Sequence, residues 1–193
     1  MSSRVYELVM AASMTVGRGR LARAVADIAD LQASDRVVDI GCGPGTAVRE
    51  AARAGAAATG VDPSPLMLRL ARWITSVRRM GHVGWLEGGA ERLPVPDGQA
   101  TVVWAIASFH HWSDRAAGLS EARRVLASAG RLIVADWLVK PDARGHSAHG
   151  ITSDQAGDLP GRLSGTGFHD ARVSTRRVGR RTLLITEAVK APA

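Results

Sequence analysis

The chain is poor in sulfur chemistry. Its 193 residues include one cysteine, Cys42, so no internal disulfide framework can brace it. Long apolar runs are also missing. The longest, near Leu132 to Val139, is strand-sized and far short of the roughly 20 residues a membrane helix needs. The opening MSSRVYELVM has neither an extended apolar core nor a small-residue cleavage site, so no secretory signal is expected and the cytoplasm is the predicted location. Lysine is nearly absent (Lys140 and Lys190 only), and arginine carries the net charge of +7. The arginines are scattered rather than banded, which fits the coding bias of a GC-rich genome better than a polyanion-binding stripe. No repeat is visible, and residues 1–193 read as one domain long enough to bury a full core.

What is present centres on VVDIGCGPGTAVREAARAGAAATGVD, Val37 to Asp62. A short β-branched run, Val37 to Ile40, reads as a buried strand. Gly41, Gly43 and Gly45 then permit a tight turn with no Cβ between backbone and ligand. A helical pattern starts at Thr46, and a second strand, Ala57 to Val61, ends in Asp62. These are the parts of a nucleotide-binding βαβ unit. The glycines are spaced G-x-G-x-G, however, and not G-x-G-x-x-G as in the dinucleotide fingerprint. Asp39 stands two residues before the first glycine, where it would repel a pyrophosphate but suit a cationic ligand. Asp62 is placed to accept both ribose hydroxyls. An adenosine carrying an ammonium and a sulfonium satisfies both acids, and S-adenosylmethionine is that ligand.

The stretch VVDIGCGPG resembles the first motif of class I S-adenosylmethionine-dependent methyltransferases, in the branch that methylates small molecules. GVDPSPLM (Gly60 to Met67) resembles the second, and EGGAERLPVPDG, WAIASFHHW and EARRVLASAGRLIVADW follow in the family's order. The resemblance implies an α/β fold: a doubly wound, Rossmann-like, seven-stranded sheet, mostly parallel, with a C-terminal antiparallel hairpin. It implies a cofactor core over residues 37–137 and a lid helix within residues 1–16. The cofactor residues it implies are Asp39, Gly41, Cys42, Gly43, Gly45, Asp62, Pro63, Met67, Gly89, Ala90, Glu91 and Ala105. Met67 would flank the adenine ring. Gly89 stands where the family usually carries an acid that binds the adenine amino group, so Glu91 either replaces it or is a solvated loop charge. Thr101 replaces the aspartate usual at the start of strand four.

The rest of the chain fits this plan. Helices are predicted over Ser3 to Ala12, Leu21 to Leu31, Pro63–Pro65 to about Arg79, and from Ser113–Asp114 to Ala129–Gly130. Strands are expected at Val83 to Glu87, Thr101 to Ala107 and Arg131 to Trp137. A helix capped by Thr152 or Ser153 should run to about Gly165 with a break at Pro160. Phe168 to Thr175 and Thr182 to Val189 form the hairpin.

Methyl transfer is an in-line displacement, and a base is needed only where the acceptor loses a proton, as a hydroxyl does. Oxygen is the expected acceptor atom. His110 and His111, just after strand four, are the catalytic candidates; Asp136, His146 and His149 are weaker ones. Tyr6, Trp112 and Trp137 are candidates to wall the acceptor pocket, while Trp73, Trp85 and Trp104 read as core. No metal site is expected, because His146 and His149 lack further assignable ligands. Cys42 fills a place that needs a small residue rather than a nucleophile. A small-molecule acceptor is the expected partner. Nucleic-acid modification is the rival, since Arg172, Arg176, Arg177, Arg180 and Arg181 lie on the hairpin; charge protecting an edge strand explains them more simply. A non-catalytic cofactor-binding protein and a homodimer both remain compatible with the sequence.

Overall fold

A computed structural model describes residues 18–192. Helix α1 (Arg18–Ala29) leads into β1 (Arg36–Ile40), α2 (Thr46–Arg53), β2 (Ala57–Asp62), α3 (Pro65–Val77) and β3 (Val83–Glu87). Then come β4 (Ala100–Ile106), α4 (Arg115–Val125), β5 (Leu126–Trp137), α5 (Ser153–Gly165), β6 (Phe168–Val178) and β7 (Arg181–Lys190). One seven-stranded sheet has the order β3-β2-β1-β4-β5-β7-β6, parallel from β3 to β5 and antiparallel at β7 and β6. The expected Ser3 to Ala12 helix and Tyr6 lie outside the described residues.

Alternation along the strands divides the core into two layers. Val38, Ile40, Val103, Leu132 and Val134 meet Leu119 and Val125 of α4 and Leu159 and Leu163 of α5. On the opposite face Val37, Val102, Trp104 and Ile133 meet Leu21 and Val25 of α1, Val48 of α2 and Leu68 of α3. The chain winds outward from β1 to β3, then crosses back to β4 on the other side of β1. Reversal there opens a crevice at the carboxyl ends of β1 and β4.

Several expectations are corrected. Helix α4 ends at Val125, and β5 starts at once because Leu126 pairs with Ala100. A register shift follows, with Ala129 in a left-handed conformation, before Arg131 pairs with Val102. Pro160 lies inside α5 without ending it: a Thr152–Gln155 capping box fixes the start, and buried Ala156, Leu159 and Leu163 hold the helix to the sheet. Trp73 is 65% exposed rather than core, since α3 buries Leu68, Ala71 and Thr75 and turns residue 73 away. Trp85 is half-buried, and Trp104 is wholly buried as expected. Alternation of Arg172, Ser174 and Arg176 with Ala171, Val173 and Thr175 predicts one wet and one covered face for β6, yet both faces are wet, with Val173 and Thr175 exposed as well as Arg172 and Arg176. The strand is the sheet edge: Phe168 is buried and Ala171 and Val178 pack partly against the core, while the middle of the strand meets water. Thr101 proves structural: its hydroxyl donates to Asp35 (2.6 Å) and accepts from the Arg36 amide (2.9 Å), tying β4 to β1.

Candidate active site

The turn after β1 is held from three sides. The Gly41 and Cys42 amides both donate to the Val61 carbonyl (2.8 and 3.0 Å). The Arg49 guanidinium donates to the Pro44 carbonyl (2.7 Å), and burial pulls its pKa down to about 10, helped by the charges of Arg78 and Arg53. Ser108, just past β4, donates to the Ile40 carbonyl (2.6 Å). A Cβ at Gly41 would lie 2.5 Å from that of Ser108, so the two strand ends can meet only with glycine at this place. Gly45, also left-handed, caps α2, and a Cβ there would overlap the Trp85 ring.

Asp62, at the end of β2, faces this turn. One carboxylate oxygen accepts the Gly43 amide (2.7 Å) and the other the Ser64 amide (2.9 Å). Two such bonds fix the carboxylate plane and leave each oxygen a second lone pair. Between these elements lies a cavity of about 440 Å³, in the size range of small-molecule sites. Gly41, Gly43 and Asp62 form its floor, Pro63, Ser64 and Met67 one wall, and Gly88 to Glu91 another. Ala107, Ser108, His111, Trp112 and Ser113 complete it. Glu91 is tied into the fold and lines the cavity. One of its oxygens accepts the Ser113 and Asp114 amides (2.8 and 3.1 Å) at the start of α4. The Asp114 amide, ahead of smaller causes, holds its carboxyl below the usual value. The second oxygen would lie 3.1 Å from a Cβ at Gly89, so Glu91 occupies the space a side chain there would enter.

Behind His111, outside the cavity lining, buried Asp136 at the end of β5 accepts from His110 Nδ1–H (2.8 Å) and from the His110 backbone amide (3.2 Å). Its other oxygen accepts the Trp137 amide (2.9 Å). The His110 side chain is 9% exposed, and its Nε2 is buried without a hydrogen-bond partner. The His110 ring centroid is 3.9 Å from that of His111, and His149 lies 5.6 and 5.5 Å from the two.

Residues 38–134 match the family described as methyltransferase domain. The chain belongs to the class I S-adenosylmethionine-dependent methyltransferase family. It is 36% identical over 131 residues to the 27-O-demethylrifamycin SV methyltransferase of Amycolatopsis mediterranei, an alignment covering 67% of this chain and 48% of that protein. It is 31% identical over 166 residues to the O-methyltransferase rstn1 of Aspergillus nomiae, covering 81% and 74%. The chain thus spans about half the length of the first of these relatives. A crystal structure of a SAM-dependent methyltransferase from Aquifex aeolicus superposes with a TM-score of 0.74 at 19% identity, over 90% of this chain and 92% of that one, a likeness of fold.

The cavity's make-up, a glycine turn without side chains, the oriented Asp62 carboxylate and the Met67 thioether, fits a group of the size and chemistry of the family's cofactor. Of the residues predicted from sequence, Gly41, Gly43, Asp62, Pro63, Met67, Gly89, Ala90 and Glu91 line it, as do His111 and Trp112. Asp39, Cys42, Gly45 and Ala105 do not line the cavity formed by the described residues. Asp39 is 2% exposed, on β1 beside Gly60 and Trp104. Burial, then the charges of Asp39 and Asp62, pushes the Cys42 thiol far up, which argues against a nucleophile. Gly45 serves the turn's packing. Ala105 is wholly buried within β4; the strand reaches the crevice two residues later, at Ala107 and Ser108. Trp137 lies outside the cavity wall with Arg181 stacked 4.4 Å over it, whereas Trp112 packs edge-on against Phe109 at 4.9 Å. The sequence reading missed Ile40, Ser64, Gly88, Ala107, Ser108 and Ser113; for Ser108 a polar residue just past strand four was the signal. It named Asp136 but not its role of holding His110.

Proposed function

We propose that the protein transfers a methyl group from S-adenosylmethionine to the oxygen of a small molecule. The observation that carries this reading is the continuity of two features. The cavity with the oriented Asp62 carboxylate is bordered by His111, whose ring lies 3.9 Å from an imidazole that Asp136 locks with its Nε2 lone pair unused. When bound, the cofactor supplies an electrophilic methyl group, and the protein's part is to place the acceptor in line with it. A hydroxyl acceptor must also give up a proton, and the imidazole edge is where a lone pair is held ready. Asp136 keeps Nδ1 protonated, so only Nε2 can take a proton or a cation.

Support for a small acceptor comes from the hairpin. Arg176 donates to the Ala24 carbonyl (3.1 Å) and lies 3.9 Å from Asp27, so it is engaged with α1 of its own chain. Arg181 differs from its neighbours. Antiparallel β7 begins beside the carboxyl end of β5, which puts Arg181 on Trp137 and 3.2 Å from the His149 carbonyl, at the acceptor edge. The cytoplasm suits the reading. Cys42 is free and buried, and no helix among the described residues is long and apolar enough to cross a membrane.

The test is a screen of purified protein with labelled S-adenosylmethionine against phenols, sugars, carboxylic acids and amines, reading labelled product and S-adenosylhomocysteine. Transfer to hydroxyl compounds is expected, with no calorimetric binding of NAD. Tight cofactor binding without transfer to any acceptor, or transfer only to RNA in a salt-sensitive manner, overturns the proposal.

A further inference from the structure

The histidine edge holds more than a base requires. One ring nitrogen from each of His110, His111 and His149 lies within 4.8 Å of the others. The three come from two places: His110 and His111 from the 3-10 turn after β4 (Phe109–His111), and His149 from the return of the loop after β5. That return is pinned. The Ile151 amide donates to the Trp137 carbonyl (2.9 Å), and the Val139 amide to the Ile151 carbonyl (3.0 Å). A Cβ at Gly150 would overlap the Trp137 carbonyl, so the backbone next to His149 is drawn against β5 by a glycine.

We propose that His110, His111 and His149 form a site for one divalent transition-metal ion of the zinc type, with the acceptor's oxygen as its fourth ligand. Asp136 is the positioning residue behind it. Two independent observations support this. The first is the convergence of three imidazoles, the ligand set of open zinc sites that keep one position for substrate. The second is the state of His110: its Nδ1 is bound by a wholly buried carboxylate, while the buried Nε2 has no partner. A carboxylate on the far nitrogen is the usual outer support of a metal-bound histidine, fixing the ring and raising its basicity. Nitrogens on one tetrahedral ion, at bonds of 2.0–2.1 Å, sit about 3.3 Å apart. His111 and His149 are exposed, whereas His110 is held by Asp136.

Electrostatics select the fourth ligand. The imidazoles are neutral ligands, Asp136 is the nearest buried anion, and Arg181 adds positive charge at His149. An ion placed there carries excess positive charge and favours an oxygen that has lost its proton. A bound hydroxyl gives that proton to water, as a zinc-bound water does near neutral pH. His111 borders the cofactor cavity, so the oxygen would be held at the donor's edge. What the ion does for the acceptor rests on the methyl-transfer reading; whether it binds does not.

The experiment uses the untagged full chain, stripped with chelator and titrated with Zn²⁺ by calorimetry and with Co²⁺ by visible absorption, without cofactor. One equivalent should bind, and Co²⁺ should give the intense bands of a tetrahedral site. His149→Ala and His111→Gln should each weaken binding at least tenfold, and Asp136→Asn by roughly 10–100-fold. His169→Ala, at an exposed histidine paired with Asp170, should change nothing. Thermal melting of each variant checks that it folds; His149 and His111 are separate probes should one fail. Absence of stoichiometric binding, or binding undiminished by both ligand variants, overturns the site. If the metal binds but no acceptor is methylated, the site stands and the function fails. Methyl transfer that persists in chelator, without metal binding, does the reverse.

Discussion

Replacing Asp62 by alanine tests the cofactor reading at its most constrained point. The carboxylate is 7% exposed and accepts two backbone amides, from Gly43 and Ser64. With the ribose bound, it would accept two hydroxyls as well. Each hydrogen bond to a charged group is worth about 1.5–3 kcal/mol, so losing both ribose contacts costs about 3–6 kcal/mol, or roughly 10²–10⁴ in affinity. The freed amides can turn to water, at some cost to the turn. A comparison with ligands removes that ambiguity. Calorimetry of S-adenosylhomocysteine and its dideoxyribose analogue, on wild type and Asp62→Ala, forms a thermodynamic cycle. Removing the hydroxyls should weaken wild type strongly and the variant hardly at all. Equal losses in the two proteins, or unchanged affinity in a folded Asp62→Ala, would show that Asp62 only braces the glycine turn.

Glu91→Gln should weaken adenosine-bearing ligands about tenfold, because the second oxygen stands where a side chain at Gly89 would reach the adenine. If only the melting temperature falls, Glu91 is a loop tether. Its depressed pKa means that its contribution to stability is complete above about pH 4.3 and is lost as pH falls through the lower folded value, which thermal melts in acid can follow. Gly45→Ala combines left-handed strain of about 1–2 kcal/mol with overpacking against Trp85 of about 1–3 kcal/mol, and should lower the melting temperature by roughly 5–15 °C. An unchanged melt would refute the packing role. Arg172, Arg177 and Arg180 exchanged together for glutamine should leave methyl transfer intact at low and physiological salt; loss of activity together with RNA binding would restore the nucleic-acid reading.

What the sequence made legible was whatever depends on neighbours along the chain. Gly41, Gly43 and Asp62 declare themselves because a turn that must approach a ligand needs glycine, and because a strand end before a helix is a fixed place. Val37 to Ile40, Thr101 to Ala107 and Arg131 to Trp137 announce the sheet as short apolar runs, as strands buried on both faces do. Errors arose where geometry runs across the chain. Trp73 is apolar, but the helical phase set by Leu68, Ala71 and Thr75 puts it in water. Ala105 is two residues short of the crevice because β4 continues to Ile106 before turning. Arg181 belongs to the acceptor edge only because β7 runs antiparallel to β5, so a residue at the hairpin's turn lands beside Trp137. His149 is the clearest case. Nothing within its own loop distinguishes it from His146. It joins His110 and His111 because two backbone hydrogen bonds bring Ile151 back to β5, and because Gly150 lets the chain lie against the Trp137 carbonyl. The same sheet carries Asp136 to His110 from β5. A cluster built from two strand ends and a returning loop has no linear signature, and its ligands are found by following backbone pairing rather than spacing.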